Sequence, residues 1–304
     1  MARCFVTREL PGTALDRLRA EHDVEVWPGE LPPSRDELLA GARDAEGVLC
    51  LLTDRIDSEL IERCPRLRAI SNYAVGSDNI DVEAAARRGI AVFVTPDVLT
   101  ETTADLAFAL MLASARRLPE AERAVRDGEW RTWEPRGWLG NDVHGTTLCI
   151  VGRGRIGGAV ARRAEGFGMT VEAVGRADPL PEALARADFV SLHCPLTADT
   201  RGLIGEAELR AMKPNAVLVN TARGPIVDTE ALRRALAEGW IAGAALDVTD
   251  PEPLPPDHSL LAAPNALVVP HIGSATHATR ERMAEMAVDN LLGGLAGRPI
   301  RPGP

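Results

Sequence analysis

Three glycines in the middle of the chain have the spacing GxGxxG, in the segment Gly152-Arg153-Gly154-Arg155-Ile156-Gly157. The strand-like run TTLCIV precedes this segment, and the helix-like run GGAVARRA continues from its last glycine. In such a turn the first glycine makes the tight bend, the second lets the backbone approach a pyrophosphate, and the third lets the helix pack closely on the strand. The helix N-terminus also offers N–H groups to an anion. The segment therefore predicts a dinucleotide-binding strand-turn-helix, because both flanking elements that the motif requires are present.

Short β-rich runs alternate with helical stretches along the whole chain, which is typical of parallel sheets with helical crossovers. Strands are predicted at 3–6, 24–27, 47–51, 67–71 and 91–94, and again at 147–151, 170–174, 189–193, 216–220, 242–246 and 267–270. Helices are predicted at 12–20, 34–42 (with Ser34 and Glu37 as a capping box), 102–115 and 275–296. No strand is expected between residues 177 and 187.

This alternation predicts an α/β protein with two doubly wound parallel-sheet domains. The dinucleotide-binding domain, a Rossmann fold at residues 98–275, is expected to be inserted in a flavodoxin-like substrate-binding domain, residues 1–97 and 276–304. The 304 residues are enough for two domains of ordinary size.

Charge and cysteine usage limit the classes of partner. The net charge of −10 argues against nucleic-acid binding, which needs a basic surface. No apolar run is long enough to span a bilayer, and the N-terminus has a strand pattern rather than that of a signal peptide. The five cysteines are widely spaced with no CxxC pair, so we expect no metal, no disulfide and a cytoplasmic location.

Polar residues follow the strands of the second predicted sheet. Ligands of open α/β sheets bind at the carboxyl ends of the strands. The residues at these ends, beyond the glycine segment, are Gly175-Arg176, His193, Thr221 with Arg223, Asp247 and His271. Loops are commonly polar, which explains any one of these residues but not an arginine, an aspartate and a histidine at one edge.

Three of these positions belong to longer motifs that occur in a recognisable order. Asn220-Thr221-Ala222-Arg223-Gly224, Leu246-Asp247-Val248 through Pro251-Glu252-Pro253-Leu254, and Pro270-His271-Ile272-Gly273-Ser274-Ala275-Thr276 resemble the arginine, glutamate and histidine motifs of the D-2-hydroxyacid dehydrogenases. The segment at 72–81, NYAVGSDNID, resembles the substrate loop of the glyoxylate reductases within that family, and residues 95–100 resemble the same subgroup. The resemblance extends essentially from end to end.

The resemblance implies NAD(P)H-dependent reduction of a small 2-oxo acid, such as glyoxylate or hydroxypyruvate, to the D-2-hydroxy acid. The planar guanidinium of Arg223 suits a carboxylate and can also reach the carbonyl oxygen. Backbone N–H groups of Val75 and Gly76 are expected to hold the other end of the carboxylate.

His271 is the expected proton donor, because imidazole ionises near neutral pH. Glu252 would bond the far ring nitrogen, fix the tautomer and favour the protonated ring. Asp247 would bind the carboxamide of the nicotinamide. His193 also follows a strand and is the rival of His271, but in relatives its segment borders the cofactor.

The candidate cofactor-binding set extends beyond the glycines of the motif. It comprises Thr103, Gly152, Gly154, Arg155, Ile156, Gly157, Gly175, Arg176, His193, Cys194, Pro195, Thr200, Thr221, Ala222, Asp247, His271 and Gly273.

The residues that follow the strand at 170–174 indicate which dinucleotide is preferred. NAD-binding domains typically present an acidic residue to the ribose there, about 20 residues after the glycines. This chain has Gly175-Arg176 instead. Arg176 suits a 2′-phosphate and Arg153 can assist, whereas Asp178 lies three residues late. The sequence therefore predicts NADP, with NAD as the alternative cofactor.

Trp130, Trp133 and Trp138 lie in a stretch, residues 116–141, that has no evident core pattern. Aromatic residues are enriched at interfaces, so a homodimer through the dinucleotide domains is expected, with this stretch reaching across. In relatives, a tryptophan at the position of Trp138 reaches toward the neighbouring subunit's substrate. Other functions of the same fold stay open: a 3-phosphoglycerate, phosphite or formate dehydrogenase, or a non-catalytic nucleotide-sensing protein similar to transcriptional corepressors.

Overall fold

A computed structural model describes residues 1–298, and the chain divides into two compact units. The first unit contains Met1–Leu99 and the C-terminal segment that begins at Ser274, and the second contains Thr100–Gly273. Each unit has its own parallel sheet with helical crossovers, which confirms the predicted fold class. The expected junctions, after residues 97 and 275, differ from these by two residues each.

The first unit has five parallel strands in the spatial order β2-β1-β3-β4-β5, the order of flavodoxin-like sheets. The strands are β1 (Arg3–Val6), β2 (Asp23–Val26), β3 (Gly47–Cys50), β4 (Ala69–Asn72) and β5 (Ala91–Phe93). The helices between them are α1 (Ala14–Glu21), α2 (Arg35–Ala42), α3 (Ser58–Arg63) and α4 (Val82–Arg87). The capping box of α2 is confirmed, because Ser34 and Glu37 bond each other's backbone N–H groups.

The second unit has six parallel strands in the order β11-β10-β9-β8-β6-β7. They are β6 (Thr147–Val151), β7 (Thr170–Val174), β8 (Phe189–Leu192), β9 (Val217–Asn220), β10 (Gly243–Leu246) and β11 (Ala266–Val268). Its helices are α5 (Thr100–Ala115), α6 (Leu118–Arg126), α7 (Arg155–Gly166), α8 (Leu180–Arg186), α9 (Glu206–Ala211) and α10 (Thr229–Glu238), with 3-10 turns at Gly224–Ile226 and Ser259–Ala262. The last helix, α11 (His277–Leu295), belongs to the first unit.

Two local predictions can be compared with these elements. The long helix α5 begins at Thr100 rather than at residue 102, so its threonines form the first turn of the helix. Between residues 177 and 187 the described chain forms α8 and no strand, as expected.

Alternate residues of the second sheet face two separate cores. Leu148 and Ile150 of β6 belong to one apolar cluster, while Cys149 and Val151 belong to the other. Both faces of the sheet are therefore covered, which explains why its strands are nearly continuous apolar runs.

The register of the second sheet aligns the ends of its six strands. Each strand's last residue pairs with the last residue of its neighbour, in the row Val174, Val151, Leu192, Asn220, Leu246 and Val268. The segment that follows each strand therefore starts from one common edge of the sheet, and this edge carries most of the predicted functional residues.

No helix within residues 1–298 combines the length and apolar character needed to cross a membrane. Over the same residues, the structure groups no three histidine, cysteine, aspartate or glutamate side chains in a way that could hold a metal ion.

Candidate active site

The glycine segment forms the turn between β6 and α7, and its first and last glycines are required by packing. Gly152 has a φ of +111°, and a Cβ there would lie 2.6 Å from the backbone nitrogen of Cys194. A Cβ on Gly157 would lie 2.1 Å from the carbonyl oxygen of Gly152. A Cβ on Gly154 would meet no atom within 4 Å. The space over Gly154, at the N-terminus of α7, is therefore available to a ligand, as a pyrophosphate requires.

Two charged side chains follow β7: Asp178 is bonded within the protein, and Arg176 is exposed. Asp178 accepts a hydrogen bond from the Gly175 N–H (2.6 Å) and forms an ion pair with Arg153 (2.8 Å). The Arg176 side chain is 80% exposed and is 3.4 Å from Asp199. Asp178 thus folds back on its own turn, while the guanidinium of Arg176 faces solvent.

His193 follows β8 in an environment that keeps it neutral. Its Nε2 is 2.8 Å from the Ser191 hydroxyl. Burial lowers the pKa of His193 to about 4, because an imidazolium would lose its hydration. In the same loop, Thr200 donates to the Pro195 carbonyl (2.6 Å) and accepts from the Thr197 N–H (2.8 Å), so its hydroxyl braces the loop that also contains Cys194.

The loop after β9 is shaped by Asn220, which bonds to both ends of it. The Asn220 amide donates to the Arg223 carbonyl (2.9 Å) and accepts from the Ala222 N–H (3.0 Å). The Arg223 guanidinium donates to the Ala222 carbonyl (2.8 Å). A Cβ on Gly224 would lie 1.9 Å from the Thr249 carbonyl oxygen, so only glycine allows this loop to reach the segment that leads to Glu252.

Asp247, at the end of β10, organises the histidine loop. Three consecutive backbone N–H groups donate to it: His271 to its carbonyl (2.9 Å), Ile272 to Oδ1 (2.6 Å) and Gly273 to Oδ2 (2.8 Å). Burial raises the pKa of the Asp247 carboxyl above its ordinary value, against the opposing effect of these N–H groups. The Thr103 hydroxyl donates to the Gly273 carbonyl (3.2 Å), which fixes the far end of the same loop. Contact of Asp247 with a carboxamide stays a prediction.

His271 and Glu252 meet after β11. Nδ1 of His271 is 2.6 Å from Oε1 of Glu252, and both side chains are partly exposed. His271 has a φ of +52°, a conformation that non-glycine residues rarely adopt and that the bonds to Asp247 maintain. The ring therefore has one nitrogen fixed by a carboxylate and Nε2 left for other chemistry, the arrangement that a general acid needs.

The Thr221 hydroxyl is a buried polar group that a ligand at this edge of the sheet could bond. It is buried, and within residues 1–298 it has no hydrogen-bond partner. Buried hydroxyls in proteins are nearly always bonded, so this one lacks an acceptor or donor that a ligand can supply. Together with the open space over Gly154, it shows that the predicted residues suit a dinucleotide.

Similarity to known proteins agrees with this geometry. The family model described as "D-isomer specific 2-hydroxyacid dehydrogenase, NAD binding domain" matches residues 108–273. A glyoxylate reductase of Korarchaeum cryptofilum is 52% identical, with 95% of this chain and 92% of that protein covered.

The chain belongs to the D-2-hydroxyacid dehydrogenase family.

Solved structures show the same relationship. A protein of Thermus thermophilus has 53% identity and a TM-score of 0.93, with 99% of both chains covered. An NADPH-dependent glyoxylate/hydroxypyruvate reductase of Sinorhizobium meliloti, in complex with NADP and malonate, has 35% identity and a TM-score of 0.86, covering 96% of this chain and 93% of that one. The protein is thus an NAD(P)-dependent dehydrogenase with a Rossmann domain.

The remaining predicted residues of the dehydrogenase lie elsewhere. Val75 and Gly76 are partly exposed in the loop after β4, in the first unit. Trp138 is partly buried with a φ of +47°, in a stretch of the second unit between α6 and β6 where Trp130 and Trp133 are 63% and 79% exposed.

A cavity of about 690 Å³ in the second unit lies away from these strand ends. Its lining includes Ser114, Asn141, Val217 and Leu267, and Val217 is the first residue of β9. It therefore opens near the amino ends of the strands, and we do not place the substrate there.

Two residues that shape the Arg223 loop are not predicted as such by the sequence. Gly224 and Asn220 belong to the arginine motif, but the motif does not indicate that both hold this loop in place. A glycine directly after Arg223 is the one feature of the sequence that could have indicated a close backbone contact. The spacing of the motif does not show that the contact is with Thr249.

Proposed function

We propose that the dehydrogenase reduces glyoxylate, and hydroxypyruvate as a second substrate, to the D-2-hydroxy acid. The observation that carries this proposal is the 2.6 Å contact between His271 and Glu252, at the sheet edge from which the Arg223 loop also starts. The names of the relatives, glyoxylate reductase and glyoxylate/hydroxypyruvate reductase, support the choice of substrate.

Arg223 binds the substrate carboxylate and polarises the carbonyl oxygen, since a guanidinium offers several donors in one plane. The backbone N–H groups of Val75 and Gly76 bind the same carboxylate. His271 gives its Nε2 proton to the alkoxide as it forms, and Glu252 stabilises the ring in that orientation.

The dinucleotide would be held by the segments that follow the strands of the second unit. Gly152, Gly154, Arg155, Ile156 and Gly157 would contact its pyrophosphate. The loops at 175–176, 193–200, 221–222 and 271–273, with Asp247 and Thr103, would contact the rest. When bound, the nicotinamide supplies the hydride.

Reduction is tested by the loss of reduced-nicotinamide absorbance with a panel of glyoxylate, hydroxypyruvate, 3-phosphohydroxypyruvate and larger 2-oxo acids, and by the reverse assay with phosphite and formate. We expect turnover of glyoxylate and its loss in Arg223→Ala. Arg233→Ala is the matched control, because Arg233 pairs with Glu230 on the surface of α10. Parental activity of Arg223→Ala, or turnover of phosphite or formate alone, contradicts the proposal.

NADPH is the proposed cofactor, in preference to NADH. The exposed guanidinium of Arg176 supports it, as does the neutralisation of Asp178 by Arg153. We expect the parent to have a higher kcat/KM with NADPH than with NADH. Arg176→Ala should lower the ratio of these two kcat/KM values roughly tenfold, which is the effect of losing one charge-assisted hydrogen bond. Arg162→Ala, on the surface of α7, is the control. A parent that prefers NADH, or an unchanged ratio in Arg176→Ala, refutes the assignment.

A homodimer formed through the dinucleotide domains is also proposed, with Trp138 acting at the partner's substrate site. The exposure of Trp130 and Trp133 supports it, because single chains rarely expose several large aromatic residues in one short stretch. The mass in solution at micromolar concentration tests it: a monomer contradicts it.

A cytoplasmic location is proposed as well. All five cysteines are free thiols, and four of them are buried. A reducing compartment keeps such thiols unmodified. Fractionation of the cells that make the protein would test this.

A further inference from the structure

The loop at residues 73–80, between β4 and α4, is held by two bonds to its carbonyl groups. The Ala74 carbonyl accepts from the Thr95 N–H (2.8 Å). The Gly76 carbonyl accepts from Nδ2 of Asn72 (2.8 Å). Asn72 is the last residue of β4, and Thr95 lies two residues after the neighbouring strand β5, so the ends of two adjacent strands determine how these two peptide groups are turned.

The orientation of two N–H groups follows from these bonds. In a trans peptide the C=O and the N–H of the next residue point in opposite directions. The N–H of Val75 therefore points away from Thr95, and the N–H of Ser77 points away from Asn72. In the part of the chain that the structure describes, neither N–H donates to another protein group. Both are partly exposed and available to an anion.

The side-chain amide of Asn79 holds the side-chain amide of Asn72 in place. Asn72 is fully buried, and its Nδ2 also donates to Oδ1 of Asn79 (2.9 Å). Nδ2 of Asn79 donates in turn to the carbonyls of Leu51 (3.0 Å) and Asp54 (2.9 Å). Both hydrogens of each amide are thus used, and the pair connects the loop to the segment after β3. Because both amides are neutral, they orient the loop without adding a charge that would compete for an anion.

We propose that Asn72 and Asn79 are positioning residues for substrate binding. Asn72 holds the peptide of Gly76, Asn79 holds Asn72, and the N–H groups of Val75 and Ser77 are thereby turned toward the substrate carboxylate before it binds. This inference rests on the proposed function, in which this loop binds a 2-oxo acid. It adds Ser77 as a backbone donor and assigns two side chains that never touch the substrate.

Ser71 provides a matched control in the same strand. Its hydroxyl is fully buried and donates to the Ala287 carbonyl of α11 (2.8 Å). Adjacent residues of a strand point to opposite faces, so Ser71 lies on the other side of the sheet from Asn72. Ser71→Ala removes one buried hydrogen bond of β4 without affecting the loop.

The test measures KM for glyoxylate, KM for NADPH, kcat, the affinity for the substrate analogue oxamate and the unfolding midpoint. Asn72→Ala should raise KM for glyoxylate and weaken oxamate roughly 10- to 100-fold, the effect of a hydrogen bond to a charged group. The kcat should change less than about threefold, because the lost contact serves bound substrate and transition state alike. The KM for NADPH should not change, and Ser71→Ala should keep all parental constants.

Asn79→Ala should raise KM for glyoxylate by less than Asn72→Ala does. In the double variant the two effects should not multiply, since Asn79 acts through Asn72. If Asn72→Ala fails to fold, Asn79→Ala, whose side chain is only partly buried, decides the matter, and Asn79→Gln with its amide retained should recover part of the loss.

Parental KM and oxamate affinity in both asparagine variants would overturn the inference, as would an equal rise of KM in Ser71→Ala. A parent enzyme that does not reduce glyoxylate refutes the proposed function instead. In that case the comparison of oxamate affinities still decides whether the asparagines position the loop, and a parent that binds no oxamate refutes both.

Discussion

Two histidines follow strands of the same sheet, and they differ in burial and in the groups that they contact. His193, after β8, has its Nε2 beside the Ser191 hydroxyl, and burial lowers its pKa to about 4. His271, after β11, is bonded to the Glu252 carboxylate and is partly exposed. Because the carboxyl ends of all six strands are in register, both rings start from the same edge. Position at the edge therefore makes a histidine a candidate, and the contact with Glu252 is what distinguishes His271 from His193.

The backbone differs between the two ends as well. The His271 loop directs three consecutive N–H groups to Asp247 and places His271 at a φ of +52°. The His193 end instead packs against the glycine turn, where its carbonyl oxygen would be 2.8 Å from a Cβ on Gly152. One end thus holds its histidine in an uncommon backbone conformation, and the other packs its backbone closely against the glycine turn.

The largest expected effect separates the two histidines. His271→Ala should lower kcat for glyoxylate roughly 10²- to 10⁴-fold, the usual contribution of a positioned acid. His193→Gln should lower kcat by less than about tenfold, because a neutral imidazole with a depressed pKa does not serve as the acid near pH 7. Steady-state kinetics of both variants provide the measurement. Equal losses in the two would remove the distinction between these strand ends.

A smaller effect is expected from the partner of His271. Glu252→Gln keeps the size of the side chain but removes its charge, and should lower kcat roughly 10- to 100-fold with KM for glyoxylate nearly unchanged. Glu182→Gln, on the surface of α8, is the control for loss of one carboxylate. A parental kcat in Glu252→Gln would show that the carboxylate does not support the ring.

The smallest expected effect is on stability at acid pH. Between its folded pKa of about 4 and the ordinary value of 6.5, His193 binds a proton in the unfolded chain but not in the folded one. The free energy of unfolding should therefore rise with pH across this window, by about 3 kcal/mol at most. His193→Gln should flatten this part of the profile in urea unfolding from pH 4 to 7, with the exposed His144→Gln as the control. An identical profile for parent and His193→Gln would mean that His193 is not shielded from water.

The amino-acid sequence determined the fold class and the candidates. Glycines at GxGxxG spacing, strand-like runs that alternate with helices, and the Arg223, Glu252 and His271 motifs are all local patterns. Such patterns fix strand ends within a few residues, and in an open α/β sheet the ends of the strands locate the ligand. The start of α5, at Thr100 rather than at residue 102, is one local detail that these patterns did not predict.

The tertiary structure alone decided which groups each candidate contacts. Asp247 and Ile272 are 25 residues apart, Glu252 and His271 are 19 apart, and Gly224 approaches Thr249 across a different loop. Such contacts depend on the register of neighbouring strands, which no single segment specifies. The same holds for Asn72, whose amide meets Gly76 and Asn79 only after the chain has left β4 and turned back. Sequence patterns locate a residue along one strand, whereas its bonds, its pKa and hence its chemistry are set by residues that other strands bring to it.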